Sequence, residues 1–397
     1  MLTLDFALEF DPTNDADFFA RLAPHPAICL IEPRASSAQP LFIRTQDLRR
    51  RLQRLLGPPD ATSKRLNLRD FAKVIRYRLT ASPFEQTLAY YQQAKAWFPQ
   101  RYQDLLKMRP PAVLKVNLRN AYPRCYATRR IAVDARGEPS GGVYYGPFAS
   151  RKAADAFAER VLDLFKVRRC RIKIRRDPSF PGCIYSEMKM CLAPCFAGCS
   201  QEEYDVEVQR LVAFLESGGN SLRDALEAER NSASEKLDFE QAALLHKKLD
   251  KLDDALRGQP DLPRRLQDLD AVILQRGLAE GSIQVFAVRA GRIADSFEIS
   301  FAAQTGEPRS AEQLFREQLE AAAPPATADL SEHLWLLARW FYSSPRQGEI
   351  FFRENGWPYR RMMRACKRLL APGSETDDAG NNSGREGGTI DDRTRNS

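Results

Sequence analysis

The first 110 residues carry short apolar runs followed by helical periodicity, which predicts a small α/β domain. Residues 27–33 and 40–45 indicate two strands joined by a Ser/Gln/Pro-rich turn. Residues 46–57 indicate a helix that ends at Gly57, and residues 84–106 a helical stretch broken near Pro99. We therefore expect a first domain over residues 1–110.

The next segment, residues 111–200, is predicted to be a basic linker region. A strand region spans about 112–132, and residues 141–150 (GGVYYGPFAS) are expected to form a turn-rich entry to a helix over about 150–166. The apolar positions of that helix fall on one face: Ala154, Phe157, Val161, Leu162 and Phe165.

Three helices with recognisable starts follow in a helical region over residues 201–257. Ser200 with Glu203 forms a capping-box pattern, and Ser221 and Asp238 are further candidate N-caps. The last two helices, about 221–236 and 239–256, are separated by only two residues, so they are predicted to form a helical hairpin over about 221–257.

From Asp268 the pattern changes to an antiparallel strand meander, followed by helices around 311–322, 331–342 and 358–370. This predicts a strand-rich C-terminal domain over residues 265–371. Residues 372–397 contain almost nothing apolar and are expected to be disordered. The predicted fold class is a multi-domain α+β protein.

Charge adds a candidate partner to this picture. The chain has 60 Lys plus Arg against 52 Asp plus Glu, and its basic clusters lie in the first half. Such clusters are typical of nucleic-acid binding, although solvated helix faces would give a similar pattern. The candidate phosphate contacts are Arg49, Arg50, Arg51, Arg54, Arg168 and Arg169.

Several function classes are excluded or disfavoured. No apolar run reaches the ~20 residues that a membrane span needs, so we expect no membrane partner and a cytoplasmic location. No P-loop and no dinucleotide fingerprint occurs, and the three histidines lie far apart.

A cysteine cluster is the sharpest chemical signal. Cys170, Cys183, Cys191 and Cys195 lie within 26 residues, and Cys199 follows closely. Such thiols in a reducing compartment favour a bound metal or cluster over disulfides, and their spacing leaves zinc and iron–sulfur both open. Buried free cysteines are the simpler alternative. The remaining three are expected to be packing residues: Cys29, Cys125 and Cys366.

Four ordered segments resemble the C subunit family of the bacterial excinuclease ABC system (UvrC). They are YYGPF with its following helix, CIYSEMKMCLAPCFAGC, SEKLDFEQAALLHKKLDKLDD and the strand-rich DLDAVILQRGLAEGSIQVFAV. The resemblance implies nucleotide excision repair, part of the SOS response, with DNA as substrate. It also implies a [4Fe–4S] cluster on the four cysteines, with zinc as the alternative.

The third of these segments resembles the UVR motif, the hairpin by which the family contacts its B subunit. The resemblance therefore implies a UvrB-like partner and assigns Phe239, Glu240 and Ala243 to the contact. Packing of Phe239 within the hairpin, as a hydrophobic staple, is the competing interpretation.

The first domain resembles the family's GIY-YIG nuclease but departs from its pattern. In that nuclease a tyrosine or metal-bound water acts as base, an arginine stabilises the phosphate and a glutamate holds a metal ion. Arg51 matches the arginine. The other positions differ here: Ala27 and Cys29 in the first motif, Phe42 and Arg44 in the second, Leu55 one turn after Arg51, and Tyr90 in place of the glutamate.

Phenylalanine cannot be deprotonated, and tyrosine does not replace an anionic magnesium ligand at neutral pH. We therefore expect DNA and partner binding with incision lost. The resemblance also implies a second, RNase H-like nuclease, for which we expect no room after the meander. Two alternatives stay open: a divergent, Mg²⁺-dependent endonuclease using Arg51 and Glu85, and a decayed paralogue without a partner.

Overall fold

In a computed structural model of the chain, residues 4–59, 65–301, 310–324 and 329–371 are described. The predicted disordered tail, residues 372–397, lies outside the described residues. The described chain contains α-helices and three antiparallel sheets, which confirms the α+β class. No helix in the described ranges is long and apolar enough to cross a membrane.

The first sheet has the strand order β1-β4-β2-β3. Its two predicted strands and the helix ending at Gly57 are confirmed, whereas β1 and β4 were not predicted. In β4, basic residues alternate with apolar ones, and the strand pairs with both β1 and β2. The elements are β1 (Phe6–Glu9), α1 (Asp15–Ala20), β2 (Ala27–Pro33), β3 (Leu41–Thr45), α2 (Leu48–Leu56), β4 (Ala72–Leu79), α3 (Pro83–Trp97) and α4 (Tyr102–Leu106).

The middle sheet has the order β6-β5-β7-β8 and packs against α5, α7 and the hairpin. The turn expected at residues 141–150 is wrong, because residues 143–148 form a fully buried strand. The expected helix over 150–166 ends earlier. The elements are β5 (Ala112–Val116), β6 (Cys125–Thr128), β7 (Val143–Phe148), α5 (Arg151–Leu162), α6 (Ile184–Glu187), α7 (Gln201–Glu216), α8 (Asn220–Glu235), α9 (Phe239–Leu256) and β8 (Arg264–Arg265).

The helical hairpin is confirmed as α8 and α9. Ser200 caps α7 in a capping box, and Asp238 accepts a hydrogen bond from the backbone N–H of Gln241 at 3.1 Å. Ser221 is not an N-cap, because α8 begins one residue before it. Gly219 holds that cap position with φ of 97°, and a Cβ there would lie 2.5 Å from Leu256 Cδ1, so the position requires glycine.

The C-terminal sheet has the order β11-β10-β9-β13, with β12 also paired to β10. This confirms the predicted meander and adds β13 to it. The elements are β9 (Ala271–Arg276), β10 (Ser282–Arg289), β11 (Arg292–Ile293), β12 (Phe297–Ser300), α10 (Ala311–Ala321), α11 (Leu330–Phe341), β13 (Glu349–Phe352) and α12 (Tyr359–Leu370).

Helix α3 joins the first sheet to the C-terminal sheet through one shared apolar core. The ring of Phe84 lies 4.9 Å from that of Phe286 and 5.5 Å from that of Trp340. The core also includes Ile28 and Leu30 of β2. The first 110 residues are therefore packed against the C-terminal half over the outer face of α3.

A polar cluster reinforces this junction. The carboxylate of Glu332 on α11 accepts hydrogen bonds from Lys95 Nζ and Tyr91 OH, both at 2.6 Å, from Gln103 Nε2 at 3.0 Å, and from Tyr102 OH. Burial would raise the pKa of Glu332, but these hydrogen bonds outweigh it and lower the pKa to about 2.

Candidate functional site

The four candidate cluster cysteines lie in the irregular segment between α5 and α7. Cys183 immediately precedes α6, and its backbone N–H donates to Ser186 Oγ at 2.9 Å. Cys191 follows α6, and Cys195 sits in a 3-10 turn over Pro194–Phe196. Ala193 has a left-handed backbone with φ of 58°, which turns the chain sharply between these two thiols.

The four thiols are close enough to influence each other electrostatically. Burial, followed by the charges of Cys170, Cys195 and Cys183, raises the pKa of Cys191 to about 11. The backbone N–H of Ala193 donates to Cys191 Sγ at 3.3 Å, which favours the thiolate. Nη1 of Arg168 donates to Cys170 Sγ at 3.9 Å.

The chemistry of this donor set, four thiols with a backbone N–H donor at one of them, suits a thiolate-bound metal or cluster. Their spacing is looser than ligation requires: no three His, Cys, Asp or Glu side chains of the described residues are placed to hold one metal ion. Cys29, Cys125 and Cys366 are buried, as the packing assignment predicts.

Arg168 is not available to a phosphate in this structure. It is only 6% exposed, and its guanidinium donates to the carbonyl oxygens of Tyr122, Cys170 and Ile172 at 2.8, 3.0 and 3.1 Å. It therefore ties the loop after β5 to the cysteine-rich segment. Because a buried guanidinium with three acceptors has a structural role, we remove Arg168 from the candidate DNA contacts.

Arg169 is largely covered as well. It pairs with Asp163 at 2.6 Å and stacks over the ring of Tyr185 at 5.9 Å. Further cations of this segment are exposed, although nothing in the sequence distinguishes them from Arg168 and Arg169: Arg171, Lys173 and Arg175. Exposed Arg119 lies in the loop after β5 that Arg168 joins to this segment.

On α2 the four candidate arginines differ in environment. Arg50 and Arg54 are exposed. Arg49 donates from Nε to the carbonyl of Leu22 at 2.6 Å and so anchors the helix to the end of α1. Arg51 is half-buried, and its buried Nε has no hydrogen-bond partner. Two of the four are therefore free to contact a phosphate, and Arg51 retains an unused donor.

The structure brings together two positions that the resemblance assigns to nuclease catalysis. The rings of Phe42 and Tyr90 stack 4.3 Å apart with an interplanar angle of 4°, and both residues are buried. The hydroxyl of Tyr90 donates to the carbonyl of Phe42 at 3.3 Å. An aromatic pair therefore stands where the resemblance places the second tyrosine and the metal-binding glutamate.

Cys29, which corresponds to the first tyrosine, is on the other side of the sheet. Phe42 pairs with Leu30 across the strands, whereas Cys29 pairs with Ile43 and packs in the opposite core. Because neighbouring residues of a strand point to opposite faces, Cys29 and Phe42 cannot share one site. Burial raises the pKa of the Cys29 thiol, so it stays neutral.

Glu85 is also turned away from Tyr90. Its carboxylate accepts from the Ala81 N–H at 2.7 Å and pairs with Arg78 at 3.5 Å. Five residues along a helix correspond to a rotation of about 140°. Burial raises the pKa of Glu85. The Glu85 carboxylate is therefore bound to Ala81 and Arg78 at the start of α3.

At the hairpin tip, the three predicted partner contacts are all exposed. Phe239 is 67% exposed, so it is not packed within the hairpin as a staple. Two further apolar side chains, which were not predicted as contacts, are exposed near it in the sequence: Leu237 at 71% and Leu244 at 55%. On the inner face of α9 the side chains are buried, among them Leu245, Leu249 and Leu252. Exposed apolar residues grouped at a tip are typical of a partner-binding surface.

The middle of this chain matches a known family model. Residues 112–214, from β5 almost to the end of α7, match the family model described as the UvrC/Cho excinuclease, middle domain. This range includes the four cysteines and the basic segment around Arg168.

The related proteins are UvrABC system protein C from several bacteria. That of Ruminiclostridium cellulolyticum is 30% identical over 49% of this chain and 31% of its own length. That of Carboxydothermus hydrogenoformans is 29% identical over 68% of this chain and 43% of its own length. The resemblance to the UvrC family is thus confirmed, and the matched part spans less than half of these relatives. No solved structure matches the chain.

Proposed function

We propose that this chain is a UvrC-like nucleotide-excision-repair protein that binds DNA and a UvrB-like partner but does not cut DNA with its first domain. The observation that carries the loss of incision is the buried stack of Phe42 on Tyr90. Phosphodiester hydrolysis needs a base and a carboxylate-held cation, and this pair supplies neither.

The surroundings of the stack support the same conclusion. Glu85 is held by Ala81 and Arg78, and Cys29 lies in the opposite core. Arg51, the one residue here that still matches the nuclease pattern, is half-buried, and its Nε has no hydrogen-bond partner among the described residues. An arginine can bind a phosphate without activating water, so the first domain keeps a binding function.

DNA binding is supported by two exposed basic groups: Arg50 and Arg54 on α2, and Arg171, Lys173 and Arg175 in the cysteine-rich segment. Such side chains contact phosphates and carry no base code. We therefore expect an affinity with little sequence preference that falls steeply with salt.

Partner binding is supported by the tip of the hairpin. Leu237, Phe239 and Leu244 expose apolar surface beside Glu240. In the UvrC resemblance this is the surface for the B subunit, so we assign it to a UvrB-like protein.

For the cofactor we propose a [4Fe–4S] cluster on Cys170, Cys183, Cys191 and Cys195, with zinc as the alternative. A bound cluster would cross-link the segment between α5 and α7 and add its binding free energy to folding. Anaerobic purification followed by iron, sulfide and zinc analysis distinguishes the two, and stoichiometric zinc without sulfide would overturn the iron–sulfur assignment.

The deciding experiment is an incision assay of the full chain with a UvrB protein, lesion-bearing and plain duplex DNA, and Mg²⁺ or Mn²⁺. We expect DNA binding and no incision. Metal-dependent incision that Arg51→Ala abolishes would contradict the proposal and establish a divergent endonuclease. Absence of DNA and UvrB binding would instead indicate a decayed paralogue.

A further inference from the structure

A cavity of about 460 Å³ lies where the first sheet, α3 and α11 meet. Its lining includes two arginines, Arg44 near the end of β3 and Arg339 on α11. Phe84 and Trp340, both buried, supply an apolar wall. The cavity therefore exists only because the first domain packs on the C-terminal half.

The two guanidinium groups face the cavity without a carboxylate. Each is packed on an aromatic ring instead: Arg44 lies 5.7 Å from the ring of Tyr90, and Arg339 lies 5.5 Å from that of Trp335. Neither is paired with an acid among the residues the structure describes, and no described lining residue is acidic. Desolvation and the charge of Arg339 both lower the pKa of Arg44.

Both arginines are exposed, and two like charges that line the same cleft repel each other, so an anion bound between them would reduce that repulsion. Neutral polar groups complete the lining, among them Gln46, Thr87 and Ser343. A phosphate group suits this setting because it offers several acceptor oxygens to two guanidinium forks at once.

We propose that this cavity is a phosphate-binding site, in which Arg44 and Arg339 both contact the anion. Arg44 stands where the resemblance expects a glycine, and Arg339 comes from a different part of the chain. The phosphate belongs either to a DNA backbone or to a phosphorylated small molecule. Only the DNA source rests on the proposed function.

The test measures binding of inorganic phosphate to the full chain by calorimetry, at constant ionic strength set with chloride. The variants are Arg44→Gln, Arg339→Gln and the matched control Arg364→Gln, whose side chain is exposed on α12 outside the cavity. We expect each cavity variant to weaken phosphate binding at least roughly tenfold, and the control to leave it unchanged. Thermal unfolding without phosphate verifies that all variants fold.

Failure of the wild-type chain to bind phosphate would overturn the proposal, as would equal effects of all three substitutions. DNA titrations then identify the source. For a backbone phosphate, the negative slope of log affinity against log salt becomes less steep by about 0.9 in each cavity variant. For a small molecule, the DNA slope stays unchanged while phosphate binding is lost. A wild-type chain that binds phosphate but no DNA contradicts the proposed function and leaves this site standing.

Discussion

At the scale of single residues, Arg168 and Arg171 provide a matched pair for stability. We expect Arg168→Met to lower the free energy of unfolding by about 2–4 kcal/mol, because it leaves three carbonyl oxygens without a donor. Arg171→Met makes the same chemical change at an exposed position and should stay within about 0.5 kcal/mol of wild type. Chemical denaturation measures both. Equal effects would show that the buried hydrogen bonds contribute nothing specific.

The burial of Arg168 could not be predicted from the sequence, because Arg168 has the same local composition as exposed Arg171. The replacement of catalytic residue types by Phe42 and Tyr90 could be predicted, because it depends on the residues alone. The stacking of these two rings could not, since it depends on how α3 crosses the sheet.

At the scale of elements, long periodic segments were predictable and short ones were not. The hairpin was found within a residue or two, because α8 and α9 carry a helical repeat and Asp238 caps the second helix. Strand β7 was missed because its six residues are buried on both sides and show no alternation. Strand β8 has only two residues and gives no local signal.

Two parts of the hairpin have different roles: the exposed tip is the proposed binding surface, and the inner face of α9 packs in the core. Phe239→Ala removes an exposed ring, so we expect a change of less than about 0.5 kcal/mol in unfolding free energy and a clear loss of affinity for a UvrB-like protein. Leu249→Ala removes a buried side chain and should destabilise the fold by about 2–4 kcal/mol. Denaturation and a binding titration measure the two effects. Unchanged affinity for the Phe239 variant would exclude the tip as the contact.

At the scale of the whole molecule, the sequence suggested separate domains, whereas the structure shares a core between the first sheet and the C-terminal sheet. No local pattern marks this junction. Glu332 lies more than 200 residues from its partners Tyr91 and Lys95 in sequence, and the pairing arises only when α11 packs on α3.

This junction makes stability depend on pH. The pKa of Glu332 is lowered from 4.5 to about 2. Its contribution to the free energy of unfolding is therefore fully present above about pH 4.5 and is lost as the pH falls towards 2. Burial and the charge of Lys95 lower the pKa of His333 to about 4 from 6.5. The neutral His333 therefore favours the folded state fully above about pH 6.5, and this contribution to the free energy of unfolding is lost as the pH falls from 6.5 to 4.

We therefore expect the unfolding free energy to fall continuously from about pH 6.5 to pH 2. Glu332→Gln should remove the fall that the carboxylate's own titration causes below about pH 4.5. The fall that begins near pH 6.5 belongs to His333 and should remain, although it reaches to lower pH because the charge of Glu332 raises the pKa of His333. Denaturation curves at a series of pH values measure this. An unaltered acid limb in the Glu332 variant would contradict the assignment.

Because α3 packs on residues far away in the sequence, its burial also depends on when those residues are synthesised. The rings that cover Phe84 belong to Phe286 and Trp340, which are made more than 200 residues after it. At roughly 5–20 residues per second, a ribosome needs on the order of 10–50 s to produce them. Through that interval the outer face of α3 has no partner, so the nascent chain must be shielded while the second half of its core is still being synthesised.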